Sequence, residues 1–514
     1  MIKKILRQSE RGQAIIMIAF AMVGLIAIVG LMTDGGILLI EYAKLKRGID
    51  SASIASALQF RRGFTGADLA TAAEEFLVLN QSNADNIIVW RCKDPAVTTM
   101  DDPAVATADD TYHDPELCTV PLRKLLRIEA TRTIGFGFLR VIGINGTTIT
   151  ASSVGEAASL DLVLVIDTSA SMAYETTGSP DISDPGDDPA LCNATQTCEP
   201  LESVKNVALE FMNTMFFPYD RVAIVTMTSQ NANGFRDPFT LLQLSDDEAE
   251  VRTAIGNIRV YQPPSCPSLY GTCRNLCDAG MIAAASADPS NPCHNQSVGY
   301  YIGERCPAYE TYGDRSSCTS SNVGGSLLIA GSEFGREPIR EDSFWVVIAL
   351  VGGPANASTG SGDLSDGNGN GYPDDPYAFG FCPYNTWNAA IAGNPPCRDR
   401  LESTRHDSTE VDITGRSIYD ADDYARDQAD FLADPVNGQG VTVFTIGLGD
   451  LVIDAPNSDP ANSGELLLQY IAEEAGDSLG VTANHGFYAF SPDANGLSDI
   501  FAAIAANIFT RLSQ

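Results

Sequence analysis

Four short aliphatic runs in the second half of the chain show no alternation of polar and apolar positions. They cover residues 162–166, 221–228, 343–351 and 440–448. Unbroken apolar runs of this length are typical of strands buried on both faces, as in parallel sheets covered by helices. Segments with helical periodicity lie between and after them. These repeated strand–helix units predict a doubly wound, mostly parallel α/β sheet with helices on both faces.

The same patterns predict the remaining elements of this part of the chain. Helices are expected at 201–217, 246–258, 322–334, 418–433, 465–475 and 493–512, a short edge strand at 239–244 and a last strand at 485–490.

The N-terminal region contains one long apolar segment. Residues 14–32 are wholly apolar apart from glycine, and four basic residues precede them. Nineteen helical residues span nearly the hydrocarbon thickness of a bilayer, about 30 Å. We therefore predict a transmembrane helix with a cytoplasmic N-terminus and an extracytoplasmic body. A cleaved signal peptide is the alternative, but residues 31–34 offer no small-residue cleavage site.

A helical pattern continues over residues 37–58, and a small α+β module is expected at 63–158. Its predicted elements are a helix at 67–80, strands at 86–90, 125–133 and 147–153, and an acidic loop at 94–116. Nothing in this module suggests catalysis, so it is interpreted as a spacer or packing module. Residues 159–514 form the predicted main domain, with a Cys-rich insertion at 261–320 and an acidic, Gly/Asp-rich insertion at 353–416.

The chain has a formal net charge of −34 over 514 residues. Residues 1–62 hold nine Lys/Arg and four Asp/Glu, so residues 63–514 carry a net charge of −39. A body with this charge repels nucleic acid and anionic lipid and favours cations. We therefore expect no nucleic-acid partner.

Twelve cysteines occur, and none precedes Cys92. Six of them are disulfide candidates: Cys192 and Cys198 bracket one loop, Cys382 and Cys397 bracket another, and Cys92 and Cys118 fall in one segment. The other six crowd residues 266–318, where six cysteines allow fifteen connectivities. The absence of C-x-x-C pairs and the four scattered histidines argue against zinc. Loop cysteines in even number predict disulfides and an oxidising compartment.

Asp167, Ser169 and Ser171 directly follow the first buried strand. Ligands of open α/β sheets bind at the carboxyl ends of strands, and carboxylate and hydroxyl oxygens suit a hard cation such as Mg²⁺. The alternative is that these side chains only cap the following turn.

This D-x-S-x-S pattern resembles the metal-ion-dependent adhesion site of von Willebrand factor A (VWA) domains. RVAIVTM, VTVFTIGLGD and FYAFSPDANGLSDIF also resemble that family, in the same order. The resemblance implies a Mg²⁺ or Mn²⁺ site of Asp167, Ser169, Ser171 and Ser321, with Ser321 in the place of the family's threonine. Gly352 stands where the family has an aspartate, which implies weaker metal binding.

The N-terminal text RGQAIIMIAFAMVGLIAIVGLMTDGG, followed by LKRGIDSASIASAL, resembles the TadG-like family of tight-adherence (Flp) pilus assembly proteins. Members begin with a pilin-like helix and often carry a C-terminal VWA domain. Processed pilins usually have a glutamate five residues after the cut, but here that place is Met17, so no cleavage is expected after Gly12. A plain single-pass anchor is the alternative.

A second cation site is predicted in the segment DLSDGNGNGYPDD, residues 363–375. Its spacing resembles the first nine positions of a calcium loop. The candidate Ca²⁺ ligands are Asp363, Asp366, Asn368, Asn370, Tyr372 and Asp374. The twelfth position is Tyr377, so no bidentate acid closes the loop. A flexible turn rich in Gly, Asn and Asp is the alternative.

No hydrolase, phosphate-loop or zinc-protease motif occurs in the chain. We therefore expect a binding protein rather than an enzyme, which engages partner proteins, possible pilus subunits among them, or an extracellular surface. A metal-independent envelope scaffold is the second interpretation. A hydrolase hidden in the Cys-rich insertion is the third.

Overall fold

The computed structural model describes most of the chain and divides it into two compact units. The units are Met1–Ala158 and Ser159–Gln514. The residues described are 6–60, 62–173, 175, 184–187, 189–228, 238–261, 321–355, 405–410, 419, 421–453, 464–477 and 481–512.

Two helices form one side of the first unit. Helix α1, Leu6–Leu58, is continuous through both the apolar segment and the helical pattern that follows it. Helix α2, Gly66–Leu79, begins with a capping box in which Thr65 and Asp68 each bond the other's backbone N–H. The two helices pack together through buried apolar side chains, among them Leu45, Ile49, Leu69, Ala73 and Leu77.

A four-stranded sheet completes the first unit. Its order is β2-β1-β3-β4, with β1 at Asn86–Arg91, β2 at Thr111–His113, β3 at Lys124–Gly135 and β4 at Gly146–Ala157. β3 and β4 form a long antiparallel hairpin, and burial alternates along most of β3 because one face packs against α1.

Strand β2 lies inside the segment 94–116, for which the sequence predicts only a loop, so that part of the prediction is wrong. The strand pairs with β1 in parallel, with Arg91 opposite His113. Three residues are too few to show an alternating pattern.

The second unit is built on a six-stranded sheet in the order β10-β9-β8-β5-β6-β7. All neighbours are parallel except β6 and the edge strand β7, which are antiparallel. The strands are β5 Leu160–Ile166, β6 Arg221–Thr226, β7 Phe239–Ser245, β8 Phe344–Val351, β9 Thr442–Leu448 and β10 Tyr488–Ser491. The chain moves outward from β5 in both directions, so this is the predicted VWA-type doubly wound sheet.

Helices cover both faces of this sheet. They are α3 Pro189–Thr195, α4 Leu201–Phe211, α5 Glu248–Gly256, α6 Val323–Phe334, α7 Ala421–Ala433, α8 Asp450–Ile453, α9 Gly464–Glu473 and α10 Leu497–Leu512. One core contains side chains of α4, α5 and α10, and the other contains side chains of α6, α7 and α9. Strand β5 sends Leu162 and Leu164 into the first core and Val163 and Val165 into the second, which explains its unbroken apolar run.

Helix α4 is shorter than its sequence pattern predicts. The pattern extends to Phe217, but the α-helix ends at Phe211 and a 3₁₀ turn follows at Met212–Thr214. The helical path stops at Met215, whose backbone is extended (φ −76°, ψ 149°), and Pro218 additionally disfavours helical backbone angles at Phe217.

A buried ion cluster lies at the end of the sheet where β5 begins. The Asp161 carboxylate accepts two hydrogen bonds from Arg221, at 2.9 and 2.6 Å, and a further one from Arg340. The Ser343 hydroxyl donates to the same carboxylate at 2.8 Å. All four lone-pair directions of the acid therefore have partners, and Asp161 is fully buried.

Two disulfides occur in the described residues. Cys92 is bonded to Cys118 in the first unit, and Cys192 is bonded to Cys198 in the second. All four cysteines are among the disulfide candidates named from the sequence. Cys382 and Cys397 lie outside the described residues, as do the six cysteines of residues 266–318.

Candidate metal centre

The candidate site lies at the carboxyl edge of the second sheet, where β5 and β8 end side by side. Asp167 follows β5, and its N–H continues the sheet pairing by donating to the carbonyl oxygen of Leu350 at 2.9 Å. Asp167 is fully buried, and Ser169 and Ser321 are nearly so. The parallel arrangement therefore brings together groups from three separate stretches of chain.

The Asp167 carboxylate already has hydrogen-bond donors on both oxygens. Its Oδ1 accepts from the backbone N–H of Ser169 at 2.8 Å. Its Oδ2 accepts from the backbone N–H of Gly352 at 2.9 Å and from the Ser321 hydroxyl at 3.1 Å. The hydroxyls of Ser169 and Ser171 share a hydrogen bond of 2.8 Å. One acid and three hydroxyl groups are thus held within one small cluster.

Burial raises the pKa of the Asp167 carboxyl above its ordinary value, because the charged form loses its hydration. Hydrogen bonds from Ser169, Gly352 and Ser321 act in the opposite direction without cancelling this effect. An ionised Asp167 therefore gains from a nearby positive charge.

Gly352 stands at the position where the VWA family has a second acid, and its surroundings show what occupies that space here. A Cβ atom built there would lie 2.9 Å from the Met172 sulfur, 3.5 Å from the Ser171 hydroxyl and 3.6 Å from Asp167 Oδ2. A side chain at this position would thus begin beside the cluster, as the VWA resemblance implies. Met172, fully buried on the turn after Ser171, fills that space with a soft sulfur atom.

The four oxygen-bearing side chains fit a hard divalent ion with one protein acid. They are Asp167, Ser169, Ser171 and Ser321, and all are oxygen donors of the kind that Mg²⁺ and Mn²⁺ accept. Mg²⁺ keeps several waters in most protein sites, so an incomplete set of protein ligands suits it.

Helix α6 positions Ser321 through a tight approach to α7. A Cβ atom at Gly324 would lie 2.5 Å from the Tyr424 ring and 2.9 Å from the Ala425 Cα atom, so only glycine allows this spacing. The Asn322 side chain caps the helix by accepting from the Gly325 N–H at 2.8 Å. The sequence pattern located Ser321 but did not indicate Asn322 or Met172, whose roles depend on side-chain direction.

The calcium-loop candidates all lie outside the described residues. These are Asp363, Asp366, Asn368, Asn370, Tyr372 and Asp374. Ca²⁺ binding by this loop therefore stays a prediction from the sequence.

A second group of metal-ligating residue types lies in the first unit, where Cys92, His113 and Cys118 are close together. The two cysteines are joined in a disulfide. The His113 ring bonds the Lys93 N–H at 3.1 Å through Nδ1 and the Val97 carbonyl at 2.9 Å through Nε2. The ligand atoms of this group are thus already engaged, and the arrangement is structural.

No protein-family model matches the chain, and no curated protein is significantly similar to it in sequence. Similar solved structures do exist. One is the von Willebrand factor domain of the type V pili tip protein Mfa5 from Porphyromonas gingivalis, at 14% identity and a TM-score of 0.33, covering 70% of this chain and 97% of that one. Another is the PilB minor pilin from Streptococcus sanguinis, at 14% identity and a TM-score of 0.34, covering 76% of each chain. A third is the protein BatB from Bacteroides thetaiotaomicron, at 12% identity and a TM-score of 0.29, covering 69% of this chain and 99% of that one.

Proposed function

We propose that this protein is a membrane-anchored, extracytoplasmic VWA protein of a Flp/Tad-type pilus system. It binds a partner protein or a surface at the carboxyl edge of its second sheet, in adhesion or in pilus assembly. The observation that carries the proposal is the convergence of the Asp167 carboxylate with the hydroxyls of Ser169, Ser171 and Ser321 at that edge. The proposal assigns no catalytic role to the chain.

The residues of the cluster suggest how binding would work. Mg²⁺ or Mn²⁺, when bound, supplies a positive charge that attracts an anionic oxygen. Asp167 is the one acid of the set, so it cancels only half the charge of a divalent ion. A carboxylate of the partner would complete the balance, and an acidic side chain is therefore the expected recognition element. The N–H groups of Ser169 and Gly352 hold the Asp167 carboxylate in position in advance.

Helix α1 supports the anchoring part of the proposal. It is long and apolar enough to cross a membrane, and only 6% of its most apolar 18-residue stretch is buried within the protein. The basic residues at 3, 4, 7 and 11 favour a cytoplasmic N-terminus. The two disulfides suit a body in an oxidising compartment. Assignment to a pilus system rests on the resemblance of the N-terminal sequence to TadG-like proteins.

A metal-independent scaffold is the second candidate, and a specific observation favours it. The Gly352 N–H donates to Asp167 Oδ2, and the Met172 sulfur lies 2.9 Å from the point where a second acid would begin. The first contact gives Asp167 a partner without an ion, and the second leaves little room for a further acid.

Calorimetric titration of the full chain in detergent with Mn²⁺ tests the proposal. We expect binding in the native protein, its loss in Asp167→Ala and about tenfold weaker binding in Ser321→Ala, because a neutral hydroxyl contributes less than an acid. Ser326→Ala is the matched control, since this buried hydroxyl of α6 bonds the Val323 carbonyl instead. Native protein that binds no Mn²⁺, or Asp167→Ala that binds normally, would favour the scaffold.

Two further measurements test the remaining parts. Thiol labelling of the denatured, unreduced protein should find few free cysteines, and mostly free thiols would contradict the extracytoplasmic location. Ca²⁺ should slow proteolysis within residues 363–375, while equal cleavage with and without chelator would leave only the turn interpretation.

A further inference from the structure

We propose, on the basis of the anchoring role given to α1 above, that the tip of the β3–β4 hairpin is a second membrane contact. The tip comprises residues 136–145, between Gly135 and Gly146. It rests in the boundary between headgroups and acyl chains, beside α1, on the side of the bilayer that carries the body. Its partner is the lipid of the membrane that α1 spans.

The tip presents large apolar side chains to its surroundings. Val141 is 85% exposed and Ile142 is 72% exposed, and Phe138 and Ile144 are each 48% exposed. These residues belong to an ordered turn, because the Val141 N–H donates to the Phe138 carbonyl at 3.0 Å and the Ile144 N–H to the Leu139 carbonyl at 3.1 Å. A formed turn that exposes adjacent aliphatic side chains marks an interaction surface.

The tip meets α1 within the apolar segment itself. Every residue from Ala14 to Val29 is exposed, and the next residue, Gly30, is buried. A Cβ atom at Gly30 would lie 2.8 Å from the Cβ atom of Phe138, so the hairpin approaches the helix backbone there. The tip therefore lies at the level of the predicted transmembrane residues 14–32.

Asp34 fixes this contact. It is 1% exposed, and its carboxylate accepts from the backbone N–H groups of Gly137, Phe138 and Leu139 at 3.0, 2.9 and 2.7 Å. An acid next to a bilayer is costly unless it is hydrogen-bonded, and here the tip supplies all three donors.

The length of the apolar surface sets the depth of the tip. Beyond Asp34, helix α1 still exposes Ile37, Leu39 and Ile40, and the first ion pair with the sheet joins Glu41 to Arg132 at 2.7 Å. Residues 14–40 extend about 40 Å, against a hydrocarbon thickness of about 30 Å. The last part of this stretch therefore lies among the headgroups, and Gly30 and Asp34 lie near the hydrocarbon boundary.

Charge favours lipid over another protein surface as the partner. Residues 63–514 carry a net charge of −39, which repels an anionic membrane, but the tip contains one charged residue, the exposed Arg140, and no acid. Aliphatic side chains together with a basic one are typical of segments that lie in the membrane interface. The tip also contacts α1 at Gly30, next to exposed apolar residues of that helix such as Leu31 and Met32.

Lipid quenching of the full chain tests this inference. An environment-sensitive fluorescent amino acid is placed at Val141, and the protein is reconstituted in vesicles of phosphatidylethanolamine and phosphatidylglycerol with brominated acyl chains. Leu25 in α1 is the positive reference. Val105, which is 63% exposed, is the matched control. Val105 precedes β2. Arg91 pairs with His113 of β2 and with Leu126 near the start of β3, so β2 lies at the opposite end of β3 from the tip.

We expect the fluorophore at Val141 to shift to shorter wavelength and to lose most of its emission to the brominated chains, as at Leu25, while Val105 is unaffected. Quenching at Leu25 without quenching at Val141 would overturn the inference and leave the anchor standing. Protection of Val141 from aqueous acrylamide without lipid quenching would also overturn it, in favour of a protein contact. Absence of quenching at both Leu25 and Val141 would refute the anchor together with the inference.

Discussion

The sulfur atom of Met172 lies 2.9 Å from the point where a side chain at Gly352 would begin. This pair explains how the strand-end site accommodates the absence of a second acid. The backbone of Gly352 does not adopt the left-handed conformation that favours glycine, since the glycines with positive φ in the described residues are at 63, 143, 440, 449 and 476. An aspartate at 352 would therefore be obstructed by the Met172 side chain and not by the backbone.

We predict that Gly352→Asp alone improves Mn²⁺ binding little, whereas Gly352→Asp combined with Met172→Ala tightens it by about tenfold or more, because a second carboxylate faces the ion. Met172→Ala alone is the control for the cavity that the smaller side chain leaves. Calorimetric titration of the three variants measures the effect. Equal affinity in the native protein and the double variant would show that position 352 does not face the ion.

Gly324→Ala should lower the free energy of unfolding by about 1–3 kcal/mol, because its methyl group would overlap the Tyr424 ring and the Ala425 backbone. Gly256→Ala is the matched control, since a Cβ atom at this helical glycine meets nothing within 4 Å. Chemical denaturation of the full chain in detergent compares the two variants. Similar stability in both would contradict the close contact of α6 with α7.

Asp161→Asn should destabilise the second unit by about 3–5 kcal/mol, because Arg221 and Arg340 would lose their buried counter-charge. Burial by itself raises the pKa of the Asp161 carboxyl, but the hydrogen bonds and charges of the two arginines outweigh it and hold the pKa below its ordinary value.

The sign of the pH effect follows from that lowered pKa. The stabilisation by ionised Asp161 is fully present above the pKa of the unfolded chain, about 3.9, and is lost as the pH falls through the folded value. Asp161→Asn should therefore show a weaker loss of stability in acid than the native protein. Glu210→Gln, at an exposed position of α4, is the control and should keep the native acid profile.

Asp34→Ala should release the hairpin tip, because the N–H groups of Gly137, Phe138 and Leu139 lose their shared acceptor. Hydrogen exchange read by mass spectrometry should speed up in residues 136–145, and lipid quenching at Val141 should weaken. Asp50→Ala, which removes a half-exposed ion pair with Lys46 in the same helix and a hydrogen bond with Ser153 of β4, is the matched control. Unchanged exchange in Asp34→Ala would show that the tip is held by apolar packing alone.

The sequence by itself determined most of the elements and much of the site, because both depend on local composition. Unbroken aliphatic runs predicted β5, β6, β8 and β9, since a strand buried on both faces needs apolar side chains at every position. The position of Asp167 directly after β5 placed it at a strand end. The resemblance of short motifs to those of VWA domains then related Ser321 and Gly352 to the same site. Such signals lie within a few neighbouring residues and require no knowledge of packing.

Only the tertiary structure decided what surrounds those residues. Three contacts join residues that are far apart in sequence. They are the approach of the Met172 sulfur to Gly352, the hydrogen bonds from three N–H groups to Asp34, and the pairing of two arginines with Asp161. Whether such groups meet depends on side-chain direction and on the close packing of whole elements, which no local pattern records. The hairpin tip, residues 136–145, is a further example, because only the fold places its apolar side chains beside the apolar N-terminal part of α1.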